Sequence, residues 1–533
     1  MEIEIELKFL VSPSAGSALT SLVENFCAND SSMVVVEKTV HLANTYYDTA
    51  NKVLRENDIG LRTRSTDGVW EQTIKTAGRV VGGLHQRHEY NIDIDSNQPN
   101  MALFDVAILP MAPDALQAAL VPLFTTDFKR QIWRIKNDDC EFEMVFDQGL
   151  ITSGQAQSPI SEVELELIKG EPLHLFEFAQ QLVRFLPSHQ VLRSGTDEFD
   201  NDEPSDQPES NAIRIGFQSK AARGYQLHND EGLEIRSYLS QVPLKQLDTL
   251  EMAFAKTLEY GLMFMQHHEQ CFIDHPSLLA LRRFTDGAAL LRHGLWLYSM
   301  VVTDETAQYF RDESKWILKS FEWVEHSRQL RVLMSKTGKY RKRLDLNAAL
   351  SQLLEEEAEK EPGLNGIGQF FSLPRYNQFI LDISLWLIEK GWRKSVQLDF
   401  IGDSENALQS VASDLLNANW QSLLTVMPSR QQFTIADYVS HHQQLKRSLM
   451  TGSSVGALYS NTLRDDFRMP WLDLSRGIDE LKTLHLLQSL AMKVEGQESR
   501  STLNWLEHQI ESLLLAMEQT RKSAVKMRPY WVN

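Results

Sequence analysis

Cysteine is scarce in this chain: there are three in 533 residues, and Cys27, Cys140 and Cys271 lie far apart. That scarcity argues against a disulfide framework or a cysteine-based zinc site, and it fits a reducing cytoplasm. Long apolar runs are missing too. The most apolar stretch, LLRHGLWLYSMVV from Leu290 to Val302, is broken by Arg292 and His293 and is too short to span a bilayer. No charged start leads into an apolar segment, so no secretory signal is expected. Cations are in deficit, with 53 Lys and Arg against 72 Asp and Glu, for a net charge of −19. Neither nucleic acid nor an anionic membrane is therefore an expected partner, although a local cation site remains open.

Several nucleotide and hydrolase signatures are also absent. No GxxxxGK[ST] occurs, and KTGKY lacks the flanking strand and Ser/Thr of a phosphate loop. The glycines of GLNGIG are not at dinucleotide spacing, and HHEQC and HHQQL lack the HExxH spacing of zinc peptidases. GSSVG at Gly452–Gly456 fits GxSxG but follows a helical stretch, and is read as a flexible loop between helices.

What is present is a globular composition, 42% hydrophobic and 23% charged, on a chain too long for one core. Most of the acid excess lies in residues 1–226, where 34 acids face 19 bases. This part reads as β-rich, with strands expected at 2–9, 41–47, 59–65, 69–76, 85–94, 130–136, 140–147 and 160–168, and helices at Ser14–Asn29 and Leu173–Phe185. Eight short strands with few crossover helices point to an antiparallel sheet or a closed barrel. Residues 187–212 contain TDEFDNDEPSDQPES, with seven acids, two prolines and no base, and are read as a disordered acidic insertion. From about Leu233 apolar residues recur at three- and four-residue steps, through 244–272, Leu278–Val302, Glu313–Leu333, Leu344–Glu359, Gln378–Glu389 and Leu503–Met517, as in a helical bundle. The expected division is 1–226, a linker at 227–239, and an all-α part at 240–533.

The chemistry lies in the strands. MEIEIELKF puts Glu2, Glu4, Glu6 and Lys8 on one face and Ile3, Ile5, Leu7 and Phe9 on the other. SEVELELI repeats the pattern with Glu162, Glu164 and Glu166, and Glu141, Glu143 and Asp147 share one parity. Arg62 and Arg64 are two apart, Lys75 lies on the face of Thr73, and Arg87 on that of Glu89. A solvated face usually mixes both signs and pairs them across strands. Here acids group on some strands and bases on others, as a divalent cation beside a polyanion would require.

These residues resemble the CYTH superfamily, the triphosphate tunnel metalloenzymes. The ExExK of Glu4–Lys8 is followed in order by NTYYDT (Asn44–Thr49), GLRTR (Gly60–Arg64), TIK (Thr73–Lys75), GGLHQRHEYN (Gly82–Asn91), TDFKRQ (Thr126–Gln131), FDQG (Phe146–Gly149), EVELEL (Glu162–Leu167) and SKAARGY (Ser219–Tyr225). The likeness extends to bacterial inorganic triphosphatases that join a CYTH domain to a helical CHAD domain. It implies an α+β chain in which a closed, antiparallel, eight-stranded barrel with flanking helices precedes an all-α bundle. It also implies metal-assisted hydrolysis of inorganic triphosphate to diphosphate and phosphate, with Mg²⁺ or Mn²⁺ as cofactor.

By the same resemblance, Glu4, Glu6, Glu162, Glu164 and Glu166 face the metal, with Asp147 beside them and Glu143 helping to order its water. Lys8, Arg62, Arg64, Lys75, Arg87, Arg130 and Lys220 grip phosphate oxygens, and Glu4, Glu6, Lys8 and Lys220 are the implied catalytic set. Glu2 has the right parity but lies outside the motif, and no histidine base is expected. In the helical part, His268, Arg292, His293, Lys315 and Lys319 are implied as a polyphosphate-docking set. Two other readings stay open: an organic triphosphate, such as thiamine triphosphate or a nucleotide in a cyclase reaction, and a non-catalytic polyphosphate-binding module.

Overall fold

A computed structural model describes residues 2–28, 34–66, 68–186, 213–237, 239–302, 305–394 and 407–532. The acidic insertion at 187–212 and the side chain of Glu2 lie outside the described residues. Packing divides the chain into two compact units, Met1–Glu234 with Asn365–Gly391, and Ile235–Leu364 with Trp392–Asn533.

The first unit is built on strands β1 (Glu2–Val11), β2 (Val34–Thr49), β3 (Gly60–Thr66), β4 (Val69–Lys75), β5 (Arg79–Val81), β6 (Leu84–Ile94), β7 (Leu120–Lys136), β8 (Glu141–Ser153), β9 (Ala156–Lys169) and β10 (Ile213–Ile215). β1 pairs with β9 along one edge and β6 along the other. The ring β1-β9-β8-β7-β2-β3-β4-β6 therefore closes, with every pairing antiparallel. β5 and β10 are short additions outside the ring. Closure removes the exposed edges that an open sheet would present. The eight expected strands are all present, and β2, β7, β8 and β9 run longer than alternation suggested. β7 passes through Pro122 at a register shift opposite Tyr46 and Tyr47, where the missing N–H of proline is tolerated.

Helices α1 (Gly16–Ala28), α2 (Val53–Glu56), α3 (Pro113–Ala119), α4 (Pro172–Phe185) and α5 (Lys220–Asn229) cover the apolar outer face. Leu7 and Phe9 are fully buried, and Phe178 of α4 packs against Phe142 and Phe26. Ile3, at the start of the same stripe, is exposed. On another flank Tyr47, Leu54, Ile59, Leu61 and Ile74 form a core with Met101, Phe104 and Leu116.

NTYYDT and SKAARGY meet at Asp48. Its carboxylate accepts from the Leu54 and Arg55 N–H groups (2.9 and 3.0 Å) and from the Tyr225 hydroxyl (2.8 Å). α5, capped by Ser219, is thereby fixed to the barrel. A Cβ on Gly224 would lie 2.1 Å from the Phe124 ring, so only glycine allows this approach.

Helices α6 (Leu250–Asp274), α7 (Leu278–Leu297), α8 (Glu305–Ser320), α9 (Trp323–Met334), α10 (Arg341–Leu344) and α11 (Ala348–Glu359) follow in sequence. α12 (Pro374–Ile388), α13 (Ala407–Val426), α14 (Ile435–Val455), α15 (Asn461–Ala491) and α16 (Gln497–Ala524) complete the chain. α12, expected with the helical half, instead packs within the first unit against α4. Its buried Asn377 accepts from the Ile215 N–H (3.0 Å) and donates toward the Ile213 carbonyl (3.4 Å), which pins β10.

The other helices form the second unit. α6 and α7 cross where Gly261 meets Gly287: a Cβ on Gly287 would lie 2.8 Å from the Met265 backbone nitrogen. The expected Glu313–Leu333 helix is divided between α8 and α9. GSSVG is not the flexible loop expected. Gly452–Val455 is the last turn of α14, and Ser453 and Ser454 are fully buried. Among the described residues no helix is long and apolar enough to cross a membrane.

Candidate active site in the barrel lumen

Strand register carries the charged side chains inward. On β1, Glu4 faces Arg87 of β6, Glu6 faces His85 of β6 and Glu166 of β9, and Lys8 faces Glu164 of β9. Arg130 of β7 stands opposite Asp147 of β8, and Asp147 opposite Glu162 of β9. Arg62 and Arg64 enter from β3, across the ring from the acids of β1 and β9. These faces enclose a cavity of about 870 Å³, lined by Glu4, Glu6, Lys8, Arg62, Arg64, Lys75, Arg87, Arg130, Glu143, Glu164, Glu166 and Lys220. Asp147 and Glu162, expected with the metal-facing acids, are fully buried and lie behind this lining.

A layer of ion pairs lies at the base of the lining. Lys220 Nζ contacts Asp147, Glu162 and Glu164 at 2.7, 2.8 and 2.9 Å. Arg130 grips Asp147 with two hydrogen bonds of 2.7 and 2.6 Å and reaches Glu164 at 2.9 Å. Lys8 lies 2.6 Å from Glu164 and 3.5 Å from Glu162. Burial alone disfavours the charge of Lys8, but Glu162 and Glu164 hold its ammonium above the ordinary lysine value. Asp147 does the same for Lys220, again against burial. This layer is electrostatically matched, and Asp147 and Glu162 act in it by orienting cations.

Above it the charges are not matched. Lys75 pairs with Glu4 (2.6 Å) and Glu89 (3.2 Å), and Glu89 also reaches Arg62 (3.3 Å). Among the described residues, Glu6 and Glu166 have no cation at ion-pair distance, and Arg64 and Arg87 have no carboxylate. Among the described residues, Arg64 donates only to the neutral Asn44 side chain, at 2.7 Å. Burial, then Arg62 and Arg130, pushes Arg64 down to about 9. Burial, then Glu4, pushes the Glu166 carboxyl up to about 7. Burial also lifts Glu4 to about 7, with Lys75 opposing and Glu6 and Glu89 adding.

This donor set fits a hard divalent cation. Crowded carboxylates that resist ionising are the groups such an ion would stabilise. Among the described residues no three acids or histidines converge into a ready chelate. A Mg²⁺-type ion does not need one, since it is commonly held by one or two carboxylates together with substrate oxygens.

Sequence reasoning left Glu89 unassigned, although HQRHE places it on the face of Arg87. Its bonds to Lys75 and Arg62 are what orient those two cations.

The residues singled out in the helical half are not brought to one place in the same way. His268 is fully buried, accepts from the Arg236 N–H (3.1 Å) and donates to the Phe264 carbonyl (2.8 Å), so both ring nitrogens are engaged. His293 bonds Thr451 at 2.9 Å, and burial, then Arg447, pushes its ring down to about 4. Arg292 contacts the Arg311 carbonyl, and Lys315 and Lys319 are exposed on α8. A separate basic group, Arg282, Lys446 and Lys482, gathers around His442 and Asp479.

Comparison with known proteins agrees with the barrel. Residues 2–196 match the CYTH domain family. The chain is similar to an inorganic triphosphatase of Haemophilus influenzae, at 37% identity over 184 residues, 34% of this chain and 49% of that protein. The match thus spans about half the length of that curated relative. Among solved structures, a putative adenylyl cyclase from Hippeastrum described as having dominant triphosphatase activity is 18% identical. It covers 43% of this chain and 97% of its own, with a TM-score of 0.29. A CHAD domain from Ricinus communis is 18% identical and covers 55% of this chain and 98% of its own, with a TM-score of 0.42.

Proposed function

From a chain whose residues 2–196 match the CYTH domain family, we propose a metal-dependent tripolyphosphatase that hydrolyses inorganic triphosphate to diphosphate and phosphate inside the barrel. One observation carries the reading. Among the described residues, arginines without a carboxylate partner and carboxylates without a cation partner occupy separate strands of a single cavity, so neither set is neutralised there by the fold itself. A bare anion binder would gain nothing from acids there, and a bare cation site nothing from arginines.

Arg62, Arg64 and Arg87 bind and orient the phosphoryl oxygens through charge-assisted hydrogen bonds. Lys75 and Lys8 add fixed positive charge at the boundary with the acids. Glu4, Glu6 and Glu166, with Glu164 at their edge, would hold Mg²⁺ or Mn²⁺. Bound there, the metal would neutralise developing phosphoryl charge and lower the pKa of water. Asp147 and Glu162 keep Lys220, Arg130 and Lys8 in place, so the cations need not reorganise during reaction. Glu143, on the lining, is available to order water. The second unit we propose as a docking module for polyphosphate through exposed basic residues such as Lys315 and Lys319. His268 contributes only to the core of that unit. We also propose the cytoplasm as its compartment.

Phosphate release from tripolyphosphate by the full chain, with Mg²⁺ and with EDTA, tests the reading beside ATP, thiamine triphosphate and long-chain polyphosphate. Turnover of tripolyphosphate that EDTA abolishes is expected. Preference for an organic triphosphate would move the substrate, and binding without turnover would leave an anion-binding module.

A further inference from the structure

Three neighbouring strands bring Thr126, Asn44 and Arg64 into one row. Asn44 of β2 stands opposite Arg64 of β3 on one side and Thr126 of β7 on the other. It is 2% exposed and lines the cavity together with Arg64. Its Oδ1 accepts from Arg64 Nε at 2.7 Å, and its Nδ2 donates to the Thr126 hydroxyl at 2.8 Å. A guanidinium can only donate, so the carbonyl end of the amide faces Arg64 and the amino end Thr126. The contact engages Nε alone. Among the described residues, both terminal amino groups of Arg64 are without a partner. Together they form the planar fork that takes two oxygens of one phosphoryl group.

What stands beside an arginine decides how much of its charge remains for a ligand. Arg62 is held by Glu89, and Arg130 by Asp147 and Glu164, so carboxylates orient and partly neutralise both. Arg64 is oriented by a neutral amide instead. Burial, then Arg62 and Arg130, works against its charge, with Tyr46 and Glu71 opposing. A carboxylate at position 44 would relieve that cost, having the shape of the amide and an acceptor in the same place. The Thr126 hydroxyl can turn to donate to it. The fold therefore forgoes an ion pair at a point where stability alone calls for one.

We propose that Asn44 is a positioning residue for the anion. It aims Arg64 at the phosphoryl oxygens of the substrate and, being neutral, leaves the whole guanidinium charge for them. The proposal rests on the tripolyphosphatase reading for the identity of the anion.

Steady-state kinetics and melting of the full chain compare Asn44→Asp with Asn44→Leu, the latter also in an Arg64→Leu background. Both single variants should raise KM for tripolyphosphate about tenfold, with kcat within about threefold of the parent. Without ligand or metal their stabilities should separate. Asn44→Asp should melt at or above the parent, and Asn44→Leu below it, because Thr126 and Arg64 Nε lose their partner. In the Arg64→Leu background, Asn44→Leu should change KM by less than about twofold, since the effects of residues acting through one another do not add. A parent-like KM in Asn44→Asp overturns the proposal, and so does a tenfold rise that persists without Arg64.

Asn44→Asp decides alone should Asn44→Leu fail to fold. A KM that rises while melting holds supports the assignment, and a raised KM with lowered melting overturns it as a packing defect. Should the parent release no phosphate from tripolyphosphate with Mg²⁺, the functional reading fails, and titration calorimetry of the same mixture then tests Asn44 by itself. About tenfold weaker binding by Asn44→Asp supports the role. Equal binding overturns it, as does a parent that binds no tripolyphosphate.

Discussion

Replacing Glu166 by glutamine should make the metal-free protein more stable at alkaline pH while impairing turnover. The carboxyl of Glu166 is held at about 7, against an ordinary 4.5, by burial first and then by Glu4, with Lys75 opposing. Between those values the unfolded chain has released its proton and the folded chain has not. Folding therefore takes up a proton, and stability falls as pH rises from 4.5 to about 7. The interval corresponds to about 3 kcal/mol, or about 1–3 kcal/mol once partial solvent screening of this half-buried group is allowed for.

A neutral glutamine escapes that loss. In EDTA at pH 8, scanning calorimetry should show Glu166→Gln melting roughly 3–8 °C above the parent for a unit of this size. The two should coincide near pH 4, where both side chains are uncharged. Added Mg²⁺ should then raise the parent more than the variant, reversing the order. A variant that melts lower at pH 8, or a difference independent of pH, would refute the reasoning that acid crowding is relieved by a cation.

Arg64→Leu removes a cation with no carboxylate partner among the described residues. Its unliganded stability should hold or rise, while KM for tripolyphosphate rises about tenfold or more, read by melting and initial rates. Lys220→Met removes one of the three cations of the buried layer, so Asp147, Glu162 and Glu164 keep Arg130 and Lys8 and one negative charge is left uncompensated. Urea unfolding should show a loss of about 3–5 kcal/mol near neutrality, shrinking as pH falls and an acid of the layer protonates. A fragment ending at Glu234 lacks α12 and leaves the bonds of Asn377 to β10 unmade. It should melt below, and hydrolyse less than, the same fragment with 365–391 restored.

Period-two alternation was enough to place all eight ring strands and to group Glu4, Glu6 and Lys8 on one face of β1 and Arg62 and Arg64 on one face of β3, because a strand's pleat fixes face by parity alone; that these faces look into one lumen was implied by the resemblance. Parity says nothing about depth. Asp147 and Glu162 share the inward face with Glu164, yet closure buries them beneath Lys220 and Arg130. Glu89 was equally visible on β6, but its role depends on which side chains the barrel brings across from β3 and β4. An amphipathic stripe likewise shows that a helix is covered, not by what. Nothing in PRYNQFILDISLWLI announces that α12 packs on α4 and β10, or that Asn377 supplies the bonds. The serines of GSSVG were misread because two glycines imitate a loop, whereas neighbouring helices bury the turn.

The central claim is that one lumen holds a triphosphate between its arginines and a metal on its acids. Anomalous diffraction from crystals grown with Mn²⁺ and tripolyphosphate tests it most directly. The account predicts manganese at Glu4, Glu6 or Glu166, with phosphoryl groups against Arg62, Arg64 and Arg87. Manganese bound elsewhere, or an empty lumen in a protein that still hydrolyses tripolyphosphate, would contradict it.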